Sequence, residues 1–167
     1  MRPFRPWIAL ALAVLVMQVF LGAWTSTNYA ALACTDFPTC NGSWEEPLDM
    51  GEGFHLTQQV GPNYLGGALH QPARAAIHMT HRLGALVTLL VVGTVLWRLA
   101  RTRLSRVEPA ARLGLVLLCT QLLLGLANVL WLLPLSVAVA HNAVAALLVL
   151  TLVWLTDRIW TLKEIRL

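Results

Sequence analysis

Four long apolar stretches, at about residues 7–26, 73–99, 113–131 and 135–155, dominate this chain of 167 residues. Each is long enough to cross the hydrocarbon of a bilayer, which takes roughly 20 residues. In lipid every backbone N–H and C=O must be satisfied within the protein, so single stretches of this length fold as helices. Charged residues make up only 12% of the chain, whereas soluble domains carry about 25%. A soluble helical bundle needs a polar outer face, and these stretches have none. The expectation is an all-α integral membrane protein, a single four-helix transmembrane bundle over 1–167 in a lipid bilayer, with an outer loop at 27–72. Arg2 and Arg5 precede the first stretch as in a secretion signal, but its apolar run is too long for one, so it is read as a span.

Orientation follows from the basic residues. Arg2 and Arg5 precede the first span, Arg98, Arg101, Arg103, Arg106 and Arg112 fill the link between the second and third, and Arg158, Lys163 and Arg166 follow the fourth. The outer loop holds Asp36, Glu45, Glu46, Asp49 and Glu52 and no Lys or Arg before Pro72. The positive-inside rule puts both termini in the cytoplasm and the acidic loop outside. The net charge of +4 is thus a topology signal, and no nucleic-acid partner is called for.

The four spans read as two helix-pair repeats. Met17-Gln-Val-Phe-Leu-Gly-Ala23 in the first span is similar to Thr120-Gln-Leu-Leu-Leu-Gly-Leu126 in the third. The second and fourth spans each carry a histidine near the outer end, His81 and His141. Parallel repeats imply a pseudo-two-fold axis along the membrane normal, with a shared site between them. Ionisable side chains in hydrocarbon are costly and usually mark function. Two neutral imidazoles at one depth can hold the iron of a haem as axial ligands. The alternative is a pair of histidines bonded to carbonyls within the bundle, and the repeat weighs against it.

His78 lies three residues before His81, on nearly the same helix face. It is expected to line the entrance or touch a polar group of the cofactor, since further ligands for a zinc or copper site are not evident. Arg82 can pair with a carboxylate such as a haem propionate. His55 and His70 read as solvated loop residues, and Cys119 as packing within the third span. Cys34 and Cys40 stand in the outer loop with a spacing unlike a thioredoxin or zinc motif. In an oxidising compartment a disulfide is their natural state, as a structural staple or as a partner in thiol exchange.

Tyr29-Ala-Ala-Leu-Ala-Cys-Thr-Asp-Phe-Pro-Thr-Cys-Asn-Gly42, Ile77-His-Met-Thr-His-Arg-Leu-Gly-Ala85, Gln121-Leu-Leu-Leu-Gly-Leu-Ala-Asn128 and Leu133-Pro-Leu-Ser-Val-Ala-Val-Ala-His-Asn142 together resemble the haem A synthase family. The resemblance is closest to the carboxy-terminal four-helix half of that eight-helix family. It implies a b-type haem with His81 and His141 on its iron, the cysteine pair outside, and a place in a bacterial inner membrane. It further implies conversion of haem O to haem A for terminal oxidase assembly, an oxidoreductase activity. The family's amino-terminal half carries a glutamate three residues before its His-Arg histidine. Here that position is His78, and no other carboxylate lies within a span, so no catalytic residue is assigned.

Two functional classes follow. One is a haem A synthase, or the haem b-binding half of one, completed by a homodimer or a partner half. The other is a non-catalytic haem-binding or electron-transfer membrane protein. A transporter is disfavoured, because no span is broken by internal Pro or paired Gly.

Overall fold

A computed structural model describes residues 2–57 and 67–161. Lys163 and Arg166, used above for orientation, and residues 58–66 of the outer loop lie outside the described residues. A short 3-10 turn, Arg2–Phe4, leads into α1 (Arg5–Thr27). The four-residue α2 (Met50–Gly53) sits in the long loop, and α3 (Gln71–Ala100), α4 (Glu108–Leu130) and α5 (Leu135–Thr161) follow. The four long helices are all long and apolar enough to cross a membrane. They overrun most of the apolar stretches by one or more residues, because helical hydrogen bonding continues past the hydrocarbon. Prolines sit in the first turns of α1, α3 and α4, where the missing N–H has no helical partner to lose. The tight α4–α5 turn puts Leu132 and Leu133 in the left-handed region, at φ 55° and 63°, and is closed by Leu133 N donating to Asn128 O at 2.8 Å.

The helices form a closed ring. α1 packs on α3 and α5, and α4 packs on the same two. Among the described residues, the diagonal pairs α3–α5 and α1–α4 do not pack against each other. Leucines point outward, with Leu83, Leu90, Leu123 and Leu150 all more than half exposed. Such a surface matches lipid, in which van der Waals packing rather than water exclusion holds helices together. Cys119 differs from its reading as packing: it is exposed on this lipid-type surface, an apolar setting that suits a thiol as well as a core does.

Burial repeats with the sequence. Ile8, Ala11 and Leu15 of α1 are buried, and so are Ala111, Gly114 and Leu118 at the same places in α4. Thr88, Val92, Val95 and Leu99 of α3 correspond in the same way to Leu148, Leu152, Leu155 and Ile159 of α5. The two helix pairs therefore present equivalent faces to the centre. The large apolar core made by these residues fills only the half of the bundle away from the long loop. On α1 and α4 it stops at Leu15 and Leu118, and on α3 and α5 it begins past His81 and His141.

The loop folds back over the loop-side end of α1 and α3. Trp24 Nε1 donates to Gly53 O at 3.0 Å, and Asp49 N donates to Pro72 O at 3.1 Å. A Cβ on Gly53 would stand 2.8 Å from Ala73 O, so the close approach of α2 to α3 requires a glycine there.

A histidine pair at the loop end of the bundle

Beyond the end of the apolar core, each histidine meets a glutamine of the neighbouring helix. Gln18 Nε2 of α1 lies 3.1 Å from His81 Nδ1 and donates to His81 O at 3.0 Å. Gln121 Nε2 of α4 lies 3.0 Å from His141 Nε2. The glycine four residues after each glutamine leaves room for the ring. A Cβ on Gly22 would stand 3.2 Å from His81 Cε1, and one on Gly125 would stand 3.2 Å from His141 Cε1. The repeated Gln-x-x-x-Gly is therefore a seat for an imidazole, built twice. Sequence separation between glutamine and histidine is 63 in the first pair and 20 in the second; the difference is the long loop.

His81 and His141 stand on the diagonal helices α3 and α5 and are half-buried. Polar atoms around them lack partners: Gln18 Oε1, Gln121 Oε1 and His141 Nδ1 are buried without a hydrogen bond. Buried polar groups are nearly always paired, and these three atoms depart from that rule. An apolar groove of about 260 Å³ lined by Phe4, Trp7, Leu90 and Arg98 lies at the opposite end and is separate from this pair.

His78 and Arg82 serve the loop. His78 is buried, not at an entrance as expected, and its Nδ1 donates to Ala30 O at 3.0 Å. Arg82 Nη2 donates to Cys34 O at 3.0 Å, Nη1 donates to Thr39 O at 2.8 Å, and the guanidinium stands 5.8 Å from the Phe37 ring centroid. Cys34 and Cys40 are joined as a disulfide, Cα to Cα 4.6 Å. Within the ring it closes, Asp36 accepts from the Thr39 hydroxyl and from Asn41 N and Gly42 N, the last two at 2.6 and 2.8 Å. The Thr39 bond, helped by those amides, holds the Asp36 carboxyl below its ordinary value of 3.8 against a smaller opposing desolvation. His70, read as merely solvated, pairs with Glu52 at 2.9 Å, although its side chain remains exposed. Among the described residues no three His, Cys, Asp or Glu side chains gather into a metal cluster.

The sequence model of the COX15-CtaA cytochrome oxidase assembly proteins matches residues 1–153. The chain belongs to this family. A Shewanella oneidensis family protein named Heme A synthase is 41% identical over 155 residues, covering 93% of this chain and 46% of its own. Proteins of the same name from Caulobacter sp. and Rickettsia felis are 30% and 27% identical, covering 89% and 87% of this chain and 40% of their own. The chain thus spans less than half the length of these curated relatives. No solved structure matches it.

Depth in the spans and the repeat singled out His81 and His141, and the outer loop singled out the cysteine pair, before the family resemblance added to both. None of these revealed the glutamine partners. The repeated Gln and Gly were visible as a motif, but their purpose depends on which helix faces which histidine.

Proposed function

We propose that this four-helix chain binds a b-type haem between His81 and His141 and serves the conversion of haem O to haem A for terminal oxidase assembly. The observation that carries the reading is the matched pair of imidazoles on diagonal helices that do not pack together, each seated against a glutamine and a glycine. The unpartnered His141 Nδ1, Gln18 Oε1 and Gln121 Oε1 fit a site that takes a further group, and imidazole is a common donor to haem iron.

His81 and His141 would hold the iron, one from each helix pair. Small residues help: Gly84 and Ala85 lie a turn beyond His81, and Ala145 lies a turn beyond His141. Held by these two imidazoles, a haem iron would pass single electrons and would not readily bind oxygen. Arg82 binds the disulfide ring and His78 the Ala30 carbonyl ahead of it, which would limit access from the loop-side end. The charge asymmetry supports cytoplasmic termini and an external loop in a bacterial inner membrane.

His78 stands where a carboxylate would serve oxidation of a second haem, and it is committed to the Ala30 carbonyl. This favours the chain as the electron-transferring half, acting with a partner half or a second copy that completes the substrate site. The test is the absorption spectrum of the purified chain reconstituted with haem b. A reduced low-spin b-type spectrum at one haem per chain, or per pair of chains, is expected. A chain that takes up no haem contradicts the reading.

A further inference from the structure

Arg74 and Arg82 are the only Lys or Arg residues between Arg5 and Arg98, so they alone bring such a charge to the loop end of the bundle. Arg82 is spent on the carbonyls of Cys34 and Thr39. Arg74 has no such bonds. Its Nε is buried without a partner, and among the described residues its guanidinium meets no acceptor, carboxylate or aromatic ring. Arg5 and Arg158 also bury an unpartnered Nε, but Arg5 donates to Trp160 O and Arg158 stands over the Trp154 ring. Carboxylates are plentiful in the loop, yet Asp36, Glu46, Asp49 and Glu52 bond to the loop itself. Snorkelling would wet the whole head group, and the buried Nε is at odds with that. Arg74 also lies in the first turn of α3, where the helix dipole favours an anion and opposes a cation. A part-buried cation with neither counter-ion nor favourable dipole is costly, and an anion bound there removes both costs.

Which anion follows from where Arg74 stands. Arg74, His81, Thr88 and Val95 recur every seven residues and form one stripe along α3. Thr88 and Val95 are buried, so the stripe faces the interior of the bundle. His81 is on it, and Arg74 is two turns nearer the loop, about 10 Å along the axis. In the second helix pair the matching place is Pro134, which offers no cation. We infer, resting on the haem reading above, that Arg74 is the counter-ion of a haem propionate. Its planar fork takes the carboxylate at the loop end of the site, a bidentate pairing that guanidinium favours. Helix position alone offered this part to Arg82, whose donors the loop carbonyls occupy. The anchor comes from one half of the repeat only, so the two helix pairs play unequal parts around one cofactor.

Absorbance titration of the purified full-length chain in detergent isolates the contact, with haem b and with its dimethyl ester, whose propionates carry no charge. Wild type should bind haem b roughly tenfold or more tightly than the ester, the scale of a lost hydrogen bond to a charged group. Arg74→Gln should weaken haem b towards the ester, leave the ester as it was, and so collapse the ratio. Arg74→Lys should give an intermediate ratio, and Arg98→Gln, at the opposite end of α3, should keep the wild-type one. Arg74→Gln with a wild-type ratio overturns the inference. Equal weakening of both ligands overturns it too, because that is what a merely structural arginine gives. If Arg74→Gln does not fold, Arg74→Lys decides, and an unchanged ratio there overturns the inference. A wild-type chain that binds neither ligand overturns the haem reading and this one with it; a wild type that binds both alike, with low-spin spectra, overturns this one alone.

Discussion

Arg82 Nη2 donates to the carbonyl of Cys34 at 3.0 Å, tying the residue beside His81 to the small disulfide ring within the outer loop. Nη1 donates to Thr39 O, so the guanidinium spans both sides of the ring that the disulfide makes. A planar fork suits two carbonyls at once, and a lysine ammonium does not reproduce it.

Arg82→Ala should therefore loosen the loop. Hydrogen bonds to a charged group contribute about 1.5–3 kcal/mol each, and the loss of two should speed reduction of Cys34–Cys40 by external thiol roughly tenfold or more. Arg82→Lys should recover only part of the protection. Reduction kinetics followed by alkylation and mass spectrometry measure it. Equal rates in wild type and Arg82→Ala would show that the arginine does not hold the loop.

The loop should also respond to acid. The Thr39 hydroxyl bond and the backbone amides hold the Asp36 pKa below its ordinary 3.8. A depressed folded pKa contributes stability that is present above the unfolded pKa and is lost as pH falls through the folded one. The loop around Asn41 and Gly42 should thus be unchanged from neutral pH down to about the ordinary carboxyl value of 3.8, and loosen below it. Amide exchange at Asn41 and Gly42 reads this out, and Asp36→Asn should exchange fast at every pH.

Seating of the ring depends on the glycines. A Cβ on Gly125 would stand 3.2 Å from His141 Cε1, and the branches of valine would reach further. Gly125→Val should displace the imidazole and weaken haem retention roughly tenfold or more, about 1.4 kcal/mol. Haem-to-protein ratio after dilution and gel filtration measures this. Val116→Ala, at a 62% exposed position on the same helix, should retain haem as wild type does.

Much of this arrangement was legible in the chain because membrane helices carry simple patterns. Apolar length marked all four helices, and the Gln-x-x-x-Gly repeat anticipated matching burial such as Leu15 with Leu118 and Val92 with Leu152. Contacts of the long loop were not legible. It has no periodicity, so nothing in sequence announced that His78 would bond Ala30 or that Arg82 would reach Cys34 and Thr39. Arg82 looked available for a propionate because its helix position alone was visible, whereas its partners come from 43 and 48 residues away. The glutamine partners were hidden for a similar reason: helix neighbours in a ring depend on packing order, and two of the six possible pairs do not pack.

Topology has its own test. Reporter fusions at Ser105 in the basic link should read cytoplasmic, and fusions at Ser43 in the acidic loop should read external. The reverse pattern would put the cysteines in a reducing compartment and remove the reason for their pairing.

The spin state of bound haem in His81→Ala and His141→Ala tests the central claim most directly. Purified wild-type chain should show a low-spin b-type spectrum, each single variant should lose haem or turn high-spin, and His55→Ala should match wild type. Retention of a normal low-spin spectrum by both single variants would contradict the account.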